Sequence, residues 1–375
     1  MSLSPLIADF DAARDTEAAM NFWPESPLQT IEELASIETA IFERKDTYTK
    51  DEFKEAKAAV IKKCERLKDT ISTEFEDYPE MNWQFSLLLS KLGMKKECIP
   101  FLEKAAELSP SDQARKRKLA SALTKITDDK IALTRAIQIA ENATSISPNA
   151  KNYRVLAEAL FANDAFFDAK DSFIAGANAE NSVTDEPGGY CERRAAETLR
   201  RKLESPEEAL EWAQKAYEID PENRRNCEEF GLAHFELGNY KKATPFLFYA
   251  HTEQPNFRLT LHRLIDCLIK TDKFEQAYDF AINLERYADE REVSIRRQVE
   301  VYRAAQWAPD EDLKELEKVI KEEFPDSRQT NEEIGRYFFE RGATEKARSY
   351  LEIAANAEGG LRANALARML DECRP

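Results

Sequence analysis

Residues 224–256 read RRNCEEFGLAHFELGNYKKATPFLFYAHTEQPN. Gly231 is followed by Gly238 seven residues on, by Ala243 five later, by Ala250 after another seven, and by Pro255 after a further five. Each residue type has a mechanical reason to stand there. Gly231 and Ala250 remove side-chain bulk where two helices must cross closely, and Gly238 falls in the turn between them. Pro255 stops the second helix, because its ring cannot continue the backbone hydrogen-bond ladder. The stretch therefore predicts a helix, a turn and a second helix folded back on the first.

The same spacings return along the chain. Gly93, Cys98, Ala105 and Pro110 repeat them, and Ala136, Ala143 and Pro148 do so in a unit about four residues longer at Thr127–Lys130. Ala157, Asp164, Ala169 and Gly176 mark a third unit, with Asn181 in place of the proline. Ala209, Ala216 and Pro221 mark a fourth, entered through the loop Asp185–Gly189, the longest break in the series and the expected hinge. After the opening stretch come a sixth unit (Ile265, Asp272, Phe274, Ala277, Leu284) and a seventh from about Val293 to Pro325, with Leu313 and Ile320 where alanine is usual. Gly335, Gly342, Ala347, Ala354 and Gly359 form an eighth without a gap.

This pattern resembles the tetratricopeptide repeat, a 34-residue helix-turn-helix unit. The resemblance implies an all-α, right-handed superhelical solenoid of about seven to eight repeats with helical caps. Residues 1–77 are expected as an N-terminal helical cap or divergent first repeat, 78–360 as the repeat array, and 361–375 as a C-terminal capping helix. In the lead segment, Thr30 with Glu33 and Thr49 with Glu52 form capping boxes. Phe53, Val60, Cys64, Leu67, Ile71 and Phe75 then share one helical face. At 375 residues the chain suits a stack in which each unit packs only on its neighbours.

Composition narrows the function classes. A net charge of −17 disfavours a nucleic-acid partner, since phosphate binding needs a basic footprint. No segment approaches the ~18 apolar residues of a membrane span, and residues 1–20 lack the apolar run of a signal peptide. No membrane association and a cytoplasmic location are expected. Cys64, Cys98, Cys191, Cys227, Cys267 and Cys373 form no C-x-x-C pair and read as small buried residues of a reducing compartment. His234, His251 and His262 share no metal-ligand spacing, and no Gly-rich phosphate loop or nucleophile elbow appears. The expectation is a protein without enzymatic activity, metal or cofactor.

The exposed face of the stacked first helices is the candidate binding surface, because a face recurs at i, i+4 and i+7. It offers Lys151, Arg154, Glu158 and Phe161 on the third unit, and Arg194, Thr198, Arg201 and Lys202 on the fourth. The fifth adds Arg225, Glu228, Leu232 and Phe235, the sixth His262 and Asp266, and the eighth Arg336 and Phe339. A basic patch with aromatic flanks suits a protein or peptide partner presenting an acidic or C-terminal segment. Against this stands pairing of the arginines with Glu192, Glu197 and Glu228 on a solvated face. Phe161, Phe235 and Phe339 read equally as peptide anchors or as packing between first helices. The chaperone-binding branch of the family grips a carboxylate with lysine, asparagine and arginine. The matching places here hold Arg154, Glu158, Ala195, Arg225 and Glu229, which departs from that pattern.

The expected function is thus an interaction scaffold or adaptor that takes a segment of its partner in the groove. The alternative is a regulatory sensor or inhibitor subunit whose N-terminal helices contact an effector. The oligomeric state is not readable from the sequence.

Overall fold

The computed structural model describes residues 31–32, 35–36, 39, 42, 50–179, 188–288, 291–356 and 363–373. The readings placed on Thr30 and Glu33, Thr49, Asn181 and Gly359 lie outside these residues. Among the described residues the chain forms eighteen helices and no strand. They are α1 (Lys50–Glu74), α2 (Pro79–Lys91), α3 (Ile99–Leu108), α4 (Gln113–Thr124), α5 (Lys130–Ile146), α6 (Ala150–Ala162) and α7 (Phe166–Ala177). There follow α8 (Tyr190–Lys202), α9 (Pro206–Ile219), α10 (Arg224–Glu236), α11 (Tyr240–Glu253), α12 (Arg258–Lys270) and α13 (Phe274–Ala288). The last are α14 (Arg291–Ala305), α15 (Asp310–Glu323), α16 (Arg328–Glu340), α17 (Thr344–Asn356) and α18 (Ala363–Glu372).

The chain divides into two compact units, residues 1–187 and 188–375, and the division falls at the loop Asp185–Gly189. Within each unit consecutive helices pack on one another, as expected of helix-turn-helix repeats. Residues 224–256 form α10 and α11 with the turn between them. The turn backbone is left-handed at Gly238 (φ +72°), and the same conformation recurs at Gly93, Asp164, Glu204, Asp272, Gln306 and Gly342. The repeat pattern thus places one left-handed residue in nearly every turn, glycine or not.

The helix crossings explain the small residues. A Cβ built on Gly231 would stand 2.9 Å from Leu247 Cγ and 3.2 Å from its backbone nitrogen. At Gly335 the same role is played against Leu351, whose Cγ and Cδ2 would both lie at 2.8 Å. Ala243, Ala250, Ala347 and Ala354 are likewise buried. In the first unit Val60, Cys64, Leu67 and Ile71 of α1 are buried in one cluster with Met81 and Phe85 of α2 and Phe101 and Leu102 of α3. Phe85 meets Phe101 edge-on at 4.8 Å. In the second unit Leu261, Leu264 and Ile265 of α12 join Leu247 and Ala281 in another cluster. Leu366 of α18 is buried against the last repeat, with Leu370 packed beside it.

A polar device joins successive pairs. Asn226, the third residue of α10, is buried, and its amide donates to the carbonyl oxygens of Ala216 (2.8 Å) and Asp220 (3.2 Å) at the end of α9, and of Gly188 (2.9 Å). Asn152 bonds Ala143 and Ser147 in the same way at 3.0 and 2.7 Å, and Asn331 bonds Phe324 and Pro325. Asn82 does so with Phe75 and Glu76. A helix leaves its last carbonyls without internal partners, and each asparagine supplies donors to them from the next pair. The glycines expected in a hinge are also engaged. Gly188 accepts from Asn226, and a Cβ on Gly189 would come within 3.0 Å of Ala216 backbone atoms.

The six cysteines are buried and none forms a disulfide. Burial pushes the Cys64 thiol up to about 12. No helix among the described residues is long and apolar enough to cross a membrane.

Replacing Gly231 with valine should lower stability by about 1–3 kcal/mol by overpacking Leu247. Replacing Gly238 with alanine, where a side chain meets open space, should cost about 1–2 kcal/mol through its left-handed backbone alone. Urea denaturation by circular dichroism, with amide exchange across α10 and α11, checks both. Exchange protection in these helices should fall more for the valine variant.

Candidate protein-binding face

In the second unit the first helices of the pairs, α8, α10, α12, α14 and α16, touch neighbour to neighbour. They lie side by side, so side chains reach from one pair to the next across this face. Arg200, in the last turn of α8, donates from Nε and Nη2 to Glu229 of α10 at 2.7 and 3.0 Å, and from Nη1 to Glu236 at 2.9 Å. Arg303 of α14 repeats the arrangement on α16, donating to Glu333 at 2.6 Å and to Glu340 at 3.1 Å. Between α12 and α14, Arg297 donates to the Asp266 carboxylate and, at 3.1 Å, to the His262 carbonyl oxygen. Between α10 and α12, the Thr260 hydroxyl donates to Glu228, and the Arg263 guanidinium lies 4.8 Å from the Phe235 ring centre.

Sequence reasoning missed these ties. Their signal was a pair of glutamates seven residues apart, Glu229 with Glu236 and Glu333 with Glu340, facing an arginine near the end of the preceding first helix. Burial pulls the Arg200 guanidinium down, but its bonds to Glu229 and Glu236 outweigh this and hold it above its ordinary value.

The sequence-based candidates fall in both units. Lys151, Arg154 and Phe161 lie half-buried on α6 of the first unit. The Phe161 ring meets Phe166 of its own pair edge-on at 5.3 Å. Arg194, Arg201 and Lys202 lie on α8 of the second unit, Arg225, Leu232 and Phe235 on α10, and His262 on α12. Leu232 requires a correction. It is 3% exposed and packs with Ala243, Leu247 and Leu261, because the helix turns it inward beside Gly231. Phe235 is half-buried and meets Tyr240 edge-on at 5.5 Å, as Phe161 meets Phe166. Ala195 and Glu229, two of the places matching the carboxylate grip, are buried, and Glu229 already holds Arg200.

The other arginines of α8 converge on one carboxylate. Glu197 accepts from Arg194 at 2.6 Å and from Arg201 at 2.7 Å, and Arg193 stands 3.9 Å away. Burial pushes the Glu197 carboxyl up, but Arg194, Arg201 and Arg193 outweigh it and hold it below the ordinary carboxylate range. Arg193 was not among the expected residues. Its side chain is 11% exposed and its guanidinium lies 5.1 Å from the Tyr190 ring centre. Burial pulls Arg193 below its usual value, and the charges of Arg194 and of Arg225 on α10 act in the same direction. Arg225 itself is exposed at the start of α10. The expected pairing with glutamate is therefore present at Glu197, and Glu228 accepts from Arg224 at 2.8 Å. Positive charge nonetheless accumulates at the α8–α10 junction.

Phe248 is half exposed and Trp307 is exposed in the turn after Gln306. Among the described residues no group of three or more His, Cys, Asp or Glu side chains gathers in a way that could hold a metal ion.

Residues 79–112 match the profile of the tetratricopeptide repeat family. The chain is similar to the solved C-terminal part of a repeat-containing protein from Cytophaga hutchinsonii, at 15% identity over 68% of this chain and 99% of that one, with a TM-score of 0.50. It also matches pilF of Pseudomonas aeruginosa at 14% identity, over 56% of this chain and 90% of that one (TM-score 0.48). YrrB, described as a TPR protein with an unusual peptide-binding site, matches at 18% identity over 52% of this chain and 95% of that one (TM-score 0.42). No curated protein matches the sequence. Paired helices, small residues at their crossings and side-by-side first helices define an α-helical repeat protein of the kind that serves as a protein–protein interaction scaffold. Residues 79–112 match a tetratricopeptide repeat, and the chain has the fold of tetratricopeptide repeat proteins.

Arg200→Ala should destabilise the second unit by about 3–5 kcal/mol, because it leaves Glu229 buried without its cation. Arg200→Ala combined with Glu229→Leu should regain most of that loss in urea denaturation. The histidines supply a pH test. Burial, reinforced by Arg297, lowers His262 to about 4, and burial also lowers His234 and His251. The unfolded chain protonates near pH ~6.5, so it binds more protons than the fold between there and about pH 4. Stability should therefore fall as pH drops through this window. The fall should be shallower in His262→Gln, measured by thermal unfolding at stepped pH.

Proposed function

We propose that the first-helix face of the second unit binds an acidic segment of a partner protein, making the chain a non-enzymatic scaffold or adaptor. The observation that carries this reading is the junction of α8 and α10. Arg193 is nearly buried, Glu197 is divided among Arg193, Arg194 and Arg201, and Arg225 adds its charge from the next helix. A carboxylate arriving there relieves repulsion among cations that the fold has already desolvated in part, so its gain exceeds that of an exposed surface pair. The half-buried Phe235, beneath Arg263, gives the segment an apolar shelf beside the charged junction. The proposal is confined to the second unit. Lys151, Arg154 and Phe161 offer a separate basic and aromatic face in the first.

Deca-glutamate is the probe, followed by isothermal titration calorimetry at low and moderate salt. Affinity should fall with added salt, as it does for contacts between exposed charges. The triple variant Arg194→Gln, Arg201→Gln, Arg225→Gln should bind at least about tenfold more weakly, given about 1.5–3 kcal/mol for each charge-assisted bond lost. Its circular dichroism spectrum should be unchanged. Equal affinity in the variant and the parent chain would remove this face from the account.

A further inference from the structure

Helix α4 of the first unit carries the longest run of consecutive cations in the chain, Arg115-Lys116-Arg117-Lys118, and no acidic residue stands between Asp112 and Asp128. Arg115 is already engaged. It donates to Glu80 of α2 at 2.8 Å and pairs with Asp112 at 3.0 Å, its guanidinium 5.7 Å from the Trp83 ring centre. Arg117 reaches the other way, to α6, where its Nη1 donates to the Asn152 side-chain oxygen at 3.2 Å. That partner is neutral and leaves the charge of Arg117 uncompensated. Among the described residues no carboxylate pairs with Lys116, Arg117, Lys118 or Lys125. Helix geometry then gathers three of these cations. Leu119 and Leu123 are buried, and Ser121 lies on the side of α4 away from them. Arg117 stands four residues before Ser121, Lys118 three before it and Lys125 four after it, which are the spacings of neighbours on one helical face. Along the axis Arg117 and Lys125 are each about 6 Å from Ser121, a rise that either side chain spans. Arg117, Lys118 and Ser121 are half-buried and Lys125 is exposed. The Ser121 hydroxyl makes no hydrogen bond among the described residues.

We propose that this face of α4 receives the phosphoryl group of a phosphorylated partner segment through Arg117, Lys118, Ser121 and Lys125. The site lies wholly in the first unit and does not depend on the reading of the α8–α10 junction. Three cations without a carboxylate neighbour call for more than one negative charge. A phosphoryl monoester brings about −1.5 to −2 and three acceptor oxygens, where a carboxylate brings one charge and two oxygens. The four groups are all donors: the guanidinium nitrogens of Arg117 that Asn152 leaves unused, two ammonium groups and a hydroxyl. Burial lowers the Lys118 ammonium below its ordinary value, with the charges of Lys125 and Lys91 acting in the same direction, and an arriving dianion relieves that repulsion. The flanks select against a long polyanion. Glu80 and Asp112 border the cations on one side, and Asp128 and Asp129 follow Lys125 on the other. A nucleic-acid strand tracking along α4 would meet these carboxylates, whereas a single phosphoryl group fits between them.

The probe is a fluorescein-labelled glycine-rich peptide with one central phosphoserine, followed by anisotropy as the full-length chain is added, beside its serine and glutamate forms. The phosphoserine form should bind saturably and at least about tenfold more tightly than either of the others. Lys118→Gln with Lys125→Gln should weaken it at least about tenfold while leaving the far-ultraviolet dichroism intact. Lys118→Arg with Lys125→Arg, which keeps both charges, should retain binding, and Ser121→Ala should lose a smaller part of it. The Arg194→Gln, Arg201→Gln, Arg225→Gln chain should bind the phosphoserine peptide as the parent does, whatever its response to deca-glutamate. Loss of binding in that chain would assign the phosphoryl group to the second unit and overturn the proposal. Equal binding of the serine and phosphoserine forms overturns it too, as does a glutamate form that binds as tightly as phosphoserine. So does oligothymidylate that displaces the labelled peptide at lower concentration than unlabelled phosphopeptide, or an undiminished affinity in the Lys118→Gln, Lys125→Gln chain.

Discussion

The structure depends on how closely the two helices of a pair approach. At Gly231 and Gly335 the facing leucine occupies the space a Cβ would need, and alanines on the partner helix keep the approach close. Close packing of this kind is intolerant of added volume. It also fixes which side of each first helix faces its partner, and hence which side is left for the neighbouring pair. The inward turn of Leu232 and the outward placement of Arg225 follow from that one crossing.

Between pairs the chemistry changes from apolar to ionic. Arg200 and Arg303 each reach forward onto two glutamates, while Arg297 reaches back onto Asp266. Buried pairs of this sort add little net stability over an apolar contact but are costly to break singly. They set the register of one first helix against the next. They also bind acidic and basic side chains to one another, so the charge this face presents is set by the residues left outside the ties. The same ties that align the helices therefore shape the electrostatics of the proposed binding surface.

Much of this was legible in the sequence, and the illegible part has a physical reason. The spacing from Gly231 to Pro255 gave both helices and their turn, because helix crossing and helix ending constrain residue type at single positions. Asp164 and Asp272 marked turns correctly, but Glu204 and Gln306 carry the same left-handed backbone with no compositional sign. The site was less readable. Arg201 and Arg225 are exposed as the helical face predicts, whereas the Arg194 side chain is only 11% exposed and Leu232 is core. Arg200, adjacent to Arg201, is a buried tie, and the side chain of Arg193, next to Arg194, is only 11% exposed. One step along a helix rotates a side chain by about 100°, enough to turn a surface charge into an interior one. Pair partners lie some thirty residues away in sequence, and no local pattern reveals them.

The buried asparagines have a direction. Asn152, Asn226 and Asn331 each stand at the start of a first helix and bond the carbonyls that close the helix before it. At these three junctions the earlier pair is finished by its successor. A chain emerging from the ribosome begins with its N-terminal pairs, and the end of each helix stays open to water until the next pair arrives to close it. At these junctions the donor that seals a helix end lies later in the chain than the helix it seals, so the seal is made in the order in which the chain is made.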